Sequence, residues 1–174
     1  MTNTTLRGMT AALALMAGLG SAMAQESSNV VATEGDWTVF AAENPKECWA
    51  VSPPKATQNT DANGAPREVT RGDIRLYVAY RSGENGAVSF SGGYPFAPDS
   101  TVEIDVGGNK FNLFTEGETA WPGTAADDEK LIAALRGGSN AVITGRSSRG
   151  TVTKDTFSLA GITAATNTAR ARCR

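Results

Sequence analysis

Two cysteines, Cys48 and Cys173, constrain this chain more than any other feature. One stands near the start of the region that reads as folded, and the other is next to the C-terminus. In an exported chain, a single pair of cysteines is most simply a disulfide. The bridge would tie the last element to the first, with everything between folded inside one loop. Closing so long a loop stabilises by about 4–5 kcal/mol in the chain-entropy account. The alternative is two free thiols, which mass spectrometry of the exported protein would detect.

Export is expected from the N-terminus. Arg7 precedes an apolar run from Met9 to Gly20, and Ala22-Met23-Ala24 has the small-x-small form that precedes cleavage. Residues 1–24 therefore read as a signal peptide. The run is too short for a bilayer-spanning helix, which needs about 20 apolar residues. No cysteine follows the cleavage point and no Arg-Arg pair precedes the run, which favours the general secretory route over lipoprotein or twin-arginine export. Residues 25–36 read as a flexible leader and residues 37–174 as one domain. Without Arg7, 15 basic side chains face 18 acidic ones, a net charge of −3. Nucleic acid is not an expected partner, because phosphate backbones require a surplus of Lys and Arg.

Short alternating segments dominate the rest. Trp37, Val39 and Ala41 alternate, as do Ile74, Leu76 and Val78, then Val102, Ile104 and Val106. Gly107-Gly108 is a hairpin turn signal. Pro53 to Arg67 is polar and reads as a loop or a long hairpin tip. Thr124-Ala125-Ala126-Asp127 resembles a capping box and opens a helix that Gly137-Gly138 stops. A last helix places Ile162, Ala165, Ala169 and Cys173 on one weakly apolar face. About eight strands and two short helices predict a mainly β fold: an immunoglobulin-like antiparallel β-sandwich with one or two short helices, closed by a single disulfide.

The chain has no histidine, which removes Ser-His-Asp and Cys-His catalysis and imidazole-ligated zinc. No residue pattern asks for a metal or a cofactor. A pair of carboxylates could still hydrolyse a polymer, but Asp127-Asp128-Glu129 is better explained by helix-start electrostatics. Arg71-Gly72-Asp73 has the form of an adhesion tripeptide and equally suits a turn before a strand. Aromatic residues near proline at strand ends, Trp49, Tyr94, Phe96 and Trp121, are a candidate binding surface; the competing role is covering the open ends of the sandwich. Arg146, Arg149 and Arg170 are a candidate basic edge, against the plainer reading of a solvated face.

Several segments together resemble the invasion-associated locus B family of exported bacterial proteins. They are Trp37-Thr38-Val39, Cys48 after Pro45-Lys46-Glu47, Val106-Gly107 before Phe111-Asn112-Leu113, and Leu131 to Gly137. The most specific are Arg149-Gly150-Thr151, Asp155-Thr156-Phe157-Ser158-Leu159-Ala160-Gly161 and the terminal Cys173. Ile162 stands where the family pattern carries an aromatic. The resemblance implies a β-sandwich in the periplasm, at the outer membrane or secreted. It implies as partner an envelope component or a host-cell surface, and it brings no catalytic residues. The expected function is a non-enzymatic exported envelope or binding protein, with support of host-cell interaction or invasion as the role the resemblance adds; the alternative is a carboxylate-based hydrolase acting on envelope polymers.

Overall fold

Alternation of inward and outward side chains organises the molecule. A computed structural model describes residues 29–174, so the expected signal peptide lies outside the described residues. The elements in chain order are β1 (Val30–Glu34), β2 (Trp37–Glu43), β3 (Lys46–Ser52), β4 (Ala56–Thr60), β5 (Arg75–Arg81), β6 (Ala87–Ser91), β7 (Thr101–Val106), β8 (Asn109–Glu116), β9 (Thr119–Trp121), α1 (Ala125–Gly137), β10 (Asn140–Arg146), β11 (Val152–Ser158) and α2 (Ile162–Arg172). The eleven strands of the described residues form one antiparallel sheet in the order β1-β2-β3-β5-β6-β9-β8-β7-β10-β11-β4.

The fold is mainly β, as expected, and one continuous sheet supplies both layers. The sheet bends over so that strands far apart in its order face each other. Phe90 of β6 meets Phe157 of β11 edge to face, with ring centroids 6.1 Å apart. The Trp37 indole N–H of β2 donates to the Ser158 carbonyl at 3.1 Å. Trp37, Val39, Leu76, Val78, Ile104 and Ile143 all point into this interior and are fully buried.

Three strands escape the alternation. Within residues 25–36, where the sequence predicts a flexible leader, Val30–Glu34 is a strand paired with β2. It is an edge strand held by backbone pairing, with little of its surface buried, so it carries no inward apolar row. Pro53 to Arg67, which reads as a loop or a long hairpin tip, contains β4, the opposite edge, paired along β11. Its Ala-Thr-Gln-Asn-Thr sequence is polar because both faces are largely exposed. The third, β9, has only three residues. Beyond its end β6 has no strand neighbour, and α1 occupies that place.

Helix α1 starts as its sequence suggests. The Thr124 hydroxyl oxygen accepts from the Asp127 N–H at 3.2 Å and donates to the Asp127 carboxylate at 2.7 Å. Helix α2 packs over β1, β2, β3 and β5, burying Ile162, Ala165, Thr166 and Ala169. Its entry is crowded: Gly161 has φ of +93°, and a Cβ there would lie 1.9 Å from the Glu34 carbonyl oxygen. Only glycine meets both conditions. At its far end Cys173 is bonded to Cys48, with a Cα–Cα separation of 5.7 Å across 125 residues of sequence.

Among the described residues, one ion pair lies inside. Arg71 and Asp155 have side chains 6% and 0% exposed. The guanidinium donates to both carboxylate oxygens, at 2.7 and 2.6 Å, and also to the Gly92 carbonyl and Asn59. Burial pushes the Asp155 carboxyl up from its ordinary value, and the Arg71 hydrogen bonds oppose that shift. Every strong donor and acceptor in this pair is used, which is what a buried charge requires. The pair links the long β4–β5 connection to β11. It also withdraws Arg71 from solvent, so Arg71-Gly72-Asp73 cannot be presented as an adhesion tripeptide.

Candidate functional site

The inward residues of β3, β5 and β6 build the core; their outward residues build an open groove. Pairing register aligns them in two rows. Phe40, Trp49, Ala79 and Ala87 form one row across β2, β3, β5 and β6. Val51, Tyr77 and Ser89 form the next. In β9, Ala120 pairs with Phe90 on the inner face, so Trp121 falls beside Ser89 on the outer one. Small side chains in the middle and large rings at the sides leave a concavity of about 880 Å³.

The rings are held in place. Trp49 stacks on Phe40 with centroids 5.9 Å apart and planes 14° from parallel. Tyr77 stands between Trp49 and Trp121, and its partial burial raises the phenol above its ordinary value. Trp121 is 36% exposed and is the freest of the three. Charges sit at the margins. Arg81 pairs with Glu47 at 2.5 Å and with Glu84 at 3.7 Å. Asp128 reaches in from the first turn of α1, where one carboxylate oxygen accepts the Val88 N–H at 2.7 Å. This is the β6 donor left without a strand partner by the shortness of β9. Burial raises the Asp128 carboxyl, the Val88 hydrogen bond lowers it and the neighbouring Asp127 raises it further.

Of the aromatic residues expected to form a surface, the structure brings Trp49 and Trp121 together here. Tyr94 and Phe96 are elsewhere and buried, which corrects the expectation that they are exposed. Gly93, with φ of +70°, turns their loop inward, close against the Gly72 backbone. The Tyr94 hydroxyl and Thr153 hydroxyl lie 2.6 Å apart, the Arg71 guanidinium sits 5.0 Å from the Tyr94 ring centre, and Phe96 packs on Tyr94 and Phe90. These two rings close one end of the sandwich, the competing role noted for them.

The basic residues do not form one edge. Arg149 lies in the β10–β11 turn near Gly93 and Arg71, at the end where β5 begins, and Arg146 closes β10 just before that turn. Arg170 lies on α2 beside Tyr80 and Asn85, at the end where β5 finishes. They fail to converge because β10 and α2 approach opposite ends of the same strand.

The acids at the start of α1 are engaged structurally. Asp127 completes the cap, Asp128 holds Val88, and Glu129 accepts from the Asn85 side chain at 2.5 Å. Among the described residues, no cluster of three or more His, Cys, Asp or Glu could hold a metal, and no helix is long and apolar enough to cross a membrane. The groove residues that sequence reasoning misses are Tyr77, Ala79, Ala87 and Ser89. Their signal is present in the β5–β6 hairpin, whose outward positions put small residues opposite one another.

Comparisons with known proteins agree on one relationship. The family model described as "Invasion associated locus B (IalB) protein" matches residues 37–170. The crystal structure of invasion associated protein B from Bartonella henselae superposes with a TM-score of 0.53 at 17% identity, covering 79% of this chain and 93% of that one. No curated protein sequence matches.

Proposed function

This chain belongs to the invasion-associated locus B family, and from that premise we propose that it is a non-enzymatic, exported binding protein of the bacterial envelope that takes its ligand on the outer groove of the sheet. One observation carries the reading: Trp49, Tyr77 and Trp121, from three different strands, converge on an open concavity of a domain whose other large aromatic residues are mostly packed inside. Exposed aromatic residues in a concavity are a recurrent feature of recognition surfaces. The disulfide fits an oxidising compartment.

The second reading, hydrolysis by a carboxylate pair, draws on Glu47 and Asp128 sharing this groove. Both acids already have structural partners, Arg81 and the Val88 N–H, which favours binding over chemistry.

The test is fractionation of cells followed by capture of partners from envelope extract on the exported protein, with Trp121→Ala alongside. The expected result is a retained envelope component that the variant loses. Recovery of nothing from envelope, with specific binding to host cells, would replace the envelope role by a host-facing one. Release of new polymer ends by the wild type, abolished in Asp128→Asn, would establish the hydrolase.

A further inference from the structure

We infer that the ligand of this groove is a run of uncharged pyranose sugars, an inference that rests on the reading of the groove as the binding site. Shape is the first argument. Trp49 and Trp121 lie on β3 and β9, three strand positions apart in the order β3-β5-β6-β9. At about 4.8 Å per strand, their backbones stand roughly 14 Å apart. Between them Tyr77 rises from a floor of Ala79, Ala87 and Ser89. A shallow trough with rings spaced along it suits a ligand that is itself a row of flat, half-apolar rings. Aromatic faces accept the C–H faces of such rings, while polar side chains at the edge fix orientation.

Charge is the second argument. The groove is bordered by two acids, Glu47 and Asp128, and by one base, Arg81, already paired with Glu47. A polyanion would meet carboxylates with no spare cation. A hydroxyl group, which both donates and accepts, matches what remains: the second oxygen of Asp128, the outer N–H groups of Arg81, and the hydroxyls of Ser89 and Thr119. A peptide that binds as an added strand needs a free sheet edge. The floor here is made of β5, paired along its length on both sides by β3 and β6, and of β6, whose outer edge is paired with β9 at Phe90 and Ser91 and closed beyond that by Asp128 on the Val88 N–H, so it offers no free edge. An acyl chain would prefer a closed apolar cavity to an open trough ringed by charges.

The experiment uses the exported protein immobilised on a column, with three preparations from the envelope: polysaccharide after protease digestion and lipid extraction, protein, and lipid. Saccharide retained by the wild type is eluted and titrated against soluble protein by tryptophan fluorescence. Trp49 and Trp121 report the groove, and the buried Trp37 reports the fold. Two variants accompany it: Trp121→Ala removes a ring, and Ser89→Gln fills the floor. The expected outcome is saccharide retention, a groove fluorescence change, and affinity about tenfold weaker in each variant at unchanged melting temperature. Retention of saccharide unaffected by both variants would overturn the inference, because the sugar then binds elsewhere. Retention of protein or lipid alone, lost in Trp121→Ala, would overturn the sugar assignment and leave the groove as the site. Self-association lost in Trp121→Ala would do the same in favour of a second copy. If no fraction depends on Trp121, the groove itself is wrong and both readings fall.

Discussion

Cys48 and Trp49 are neighbours on β3 and face opposite sides of the sheet. Cys48 is fully buried and bonded to the last turn of the chain. Trp49 lies on the outer face against Phe40. The same contrast runs along β5, where Leu76, Val78 and Tyr80 point inward while Tyr77 and Ala79 point into the groove. The two faces share one backbone but obey different rules. Inside, volume is fixed on all sides, every polar group needs a partner, and a change propagates. Outside, the backbone is already held by neighbouring strands, and side chains are free to serve a ligand.

The largest expected effect therefore comes from the inward neighbour. Replacing both cysteines, Cys48→Ser with Cys173→Ser, removes a cross-link spanning 125 residues and should lower unfolding free energy by about 5 kcal/mol. Urea titration of the variant, and of the wild type with reductant, measures this. A loss below about 1 kcal/mol would mean that α2 is held by packing alone, and would weaken the distinction between the two faces.

Next comes the charge inside. Asp155→Ala leaves Arg71 buried without its anion and should cost about 3–5 kcal/mol, whereas the joint change Arg71→Met with Asp155→Leu should cost much less. Thermal unfolding of the three proteins decides it. An equal loss in the single and double variants would show that the pair does more than satisfy itself, by fixing the β4–β5 connection.

These two ties differ in how visible they are in the sequence. Two cysteines in 174 residues allow one intramolecular pairing, so the Cys48–Cys173 bridge is legible from the residues alone. Arg71 and Asp155 are one choice among 16 bases and 18 acids, and nothing local distinguishes them; Arg71 looks more like part of an exposed tripeptide. The inner face is legible because period-two alternation marks it, and β10 and β11 show themselves that way. β1 and β4 escape a reading of the sequence because an edge strand needs only backbone pairing, which leaves no side-chain pattern. The groove is half legible. Trp49 and Trp121 stand out by chemistry, but the concavity between them depends on strand order, which brings β9 beside β6 across almost thirty residues of sequence. Tyr94 and Phe96 mislead for a related reason: a glycine-rich loop can fold either outward or inward, and what turns it inward is the Gly72 contact and the Thr153 hydroxyl.

On the outer face a large side chain should matter little to stability. Trp49→Ala removes the stack on Phe40 and should cost about 1 kcal/mol, far less than loss of the adjacent cysteine. Trp121→Ala should be closer to neutral. Chemical denaturation of both variants tests the contrast, and a loss of several kcal/mol at Trp49 would make it a core residue that happens to border a groove.

The smallest effect concerns protonation on the outer face, and its sign is informative. Burial raises Asp128 above the ordinary carboxylate value of 3.8 in the folded protein. A carboxyl raised in this way binds its proton more tightly when folded. Its contribution to stability is complete below the unfolded value and is lost as pH rises through the raised folded value. Asp36 and Asp127 behave oppositely, because hydrogen bonds, from Lys55 and from Thr124 respectively, lower them; their contribution is present above 3.8 and disappears as pH falls through their folded values. Asp128→Asn keeps an oxygen for the Val88 N–H and removes the charge. It should be slightly more stable than wild type at neutral pH, with the advantage vanishing as pH falls to the ordinary carboxylate range. The helix dipole works the other way, since a negative charge in the first turn of α1 is worth about 0.3–1 kcal/mol. If Asp128→Asn proves less stable than wild type at neutral pH, the dipole outweighs the partial burial. The margin of the groove would then behave as ordinary solvated surface, and the raised Asp128 carboxyl would no longer distinguish it.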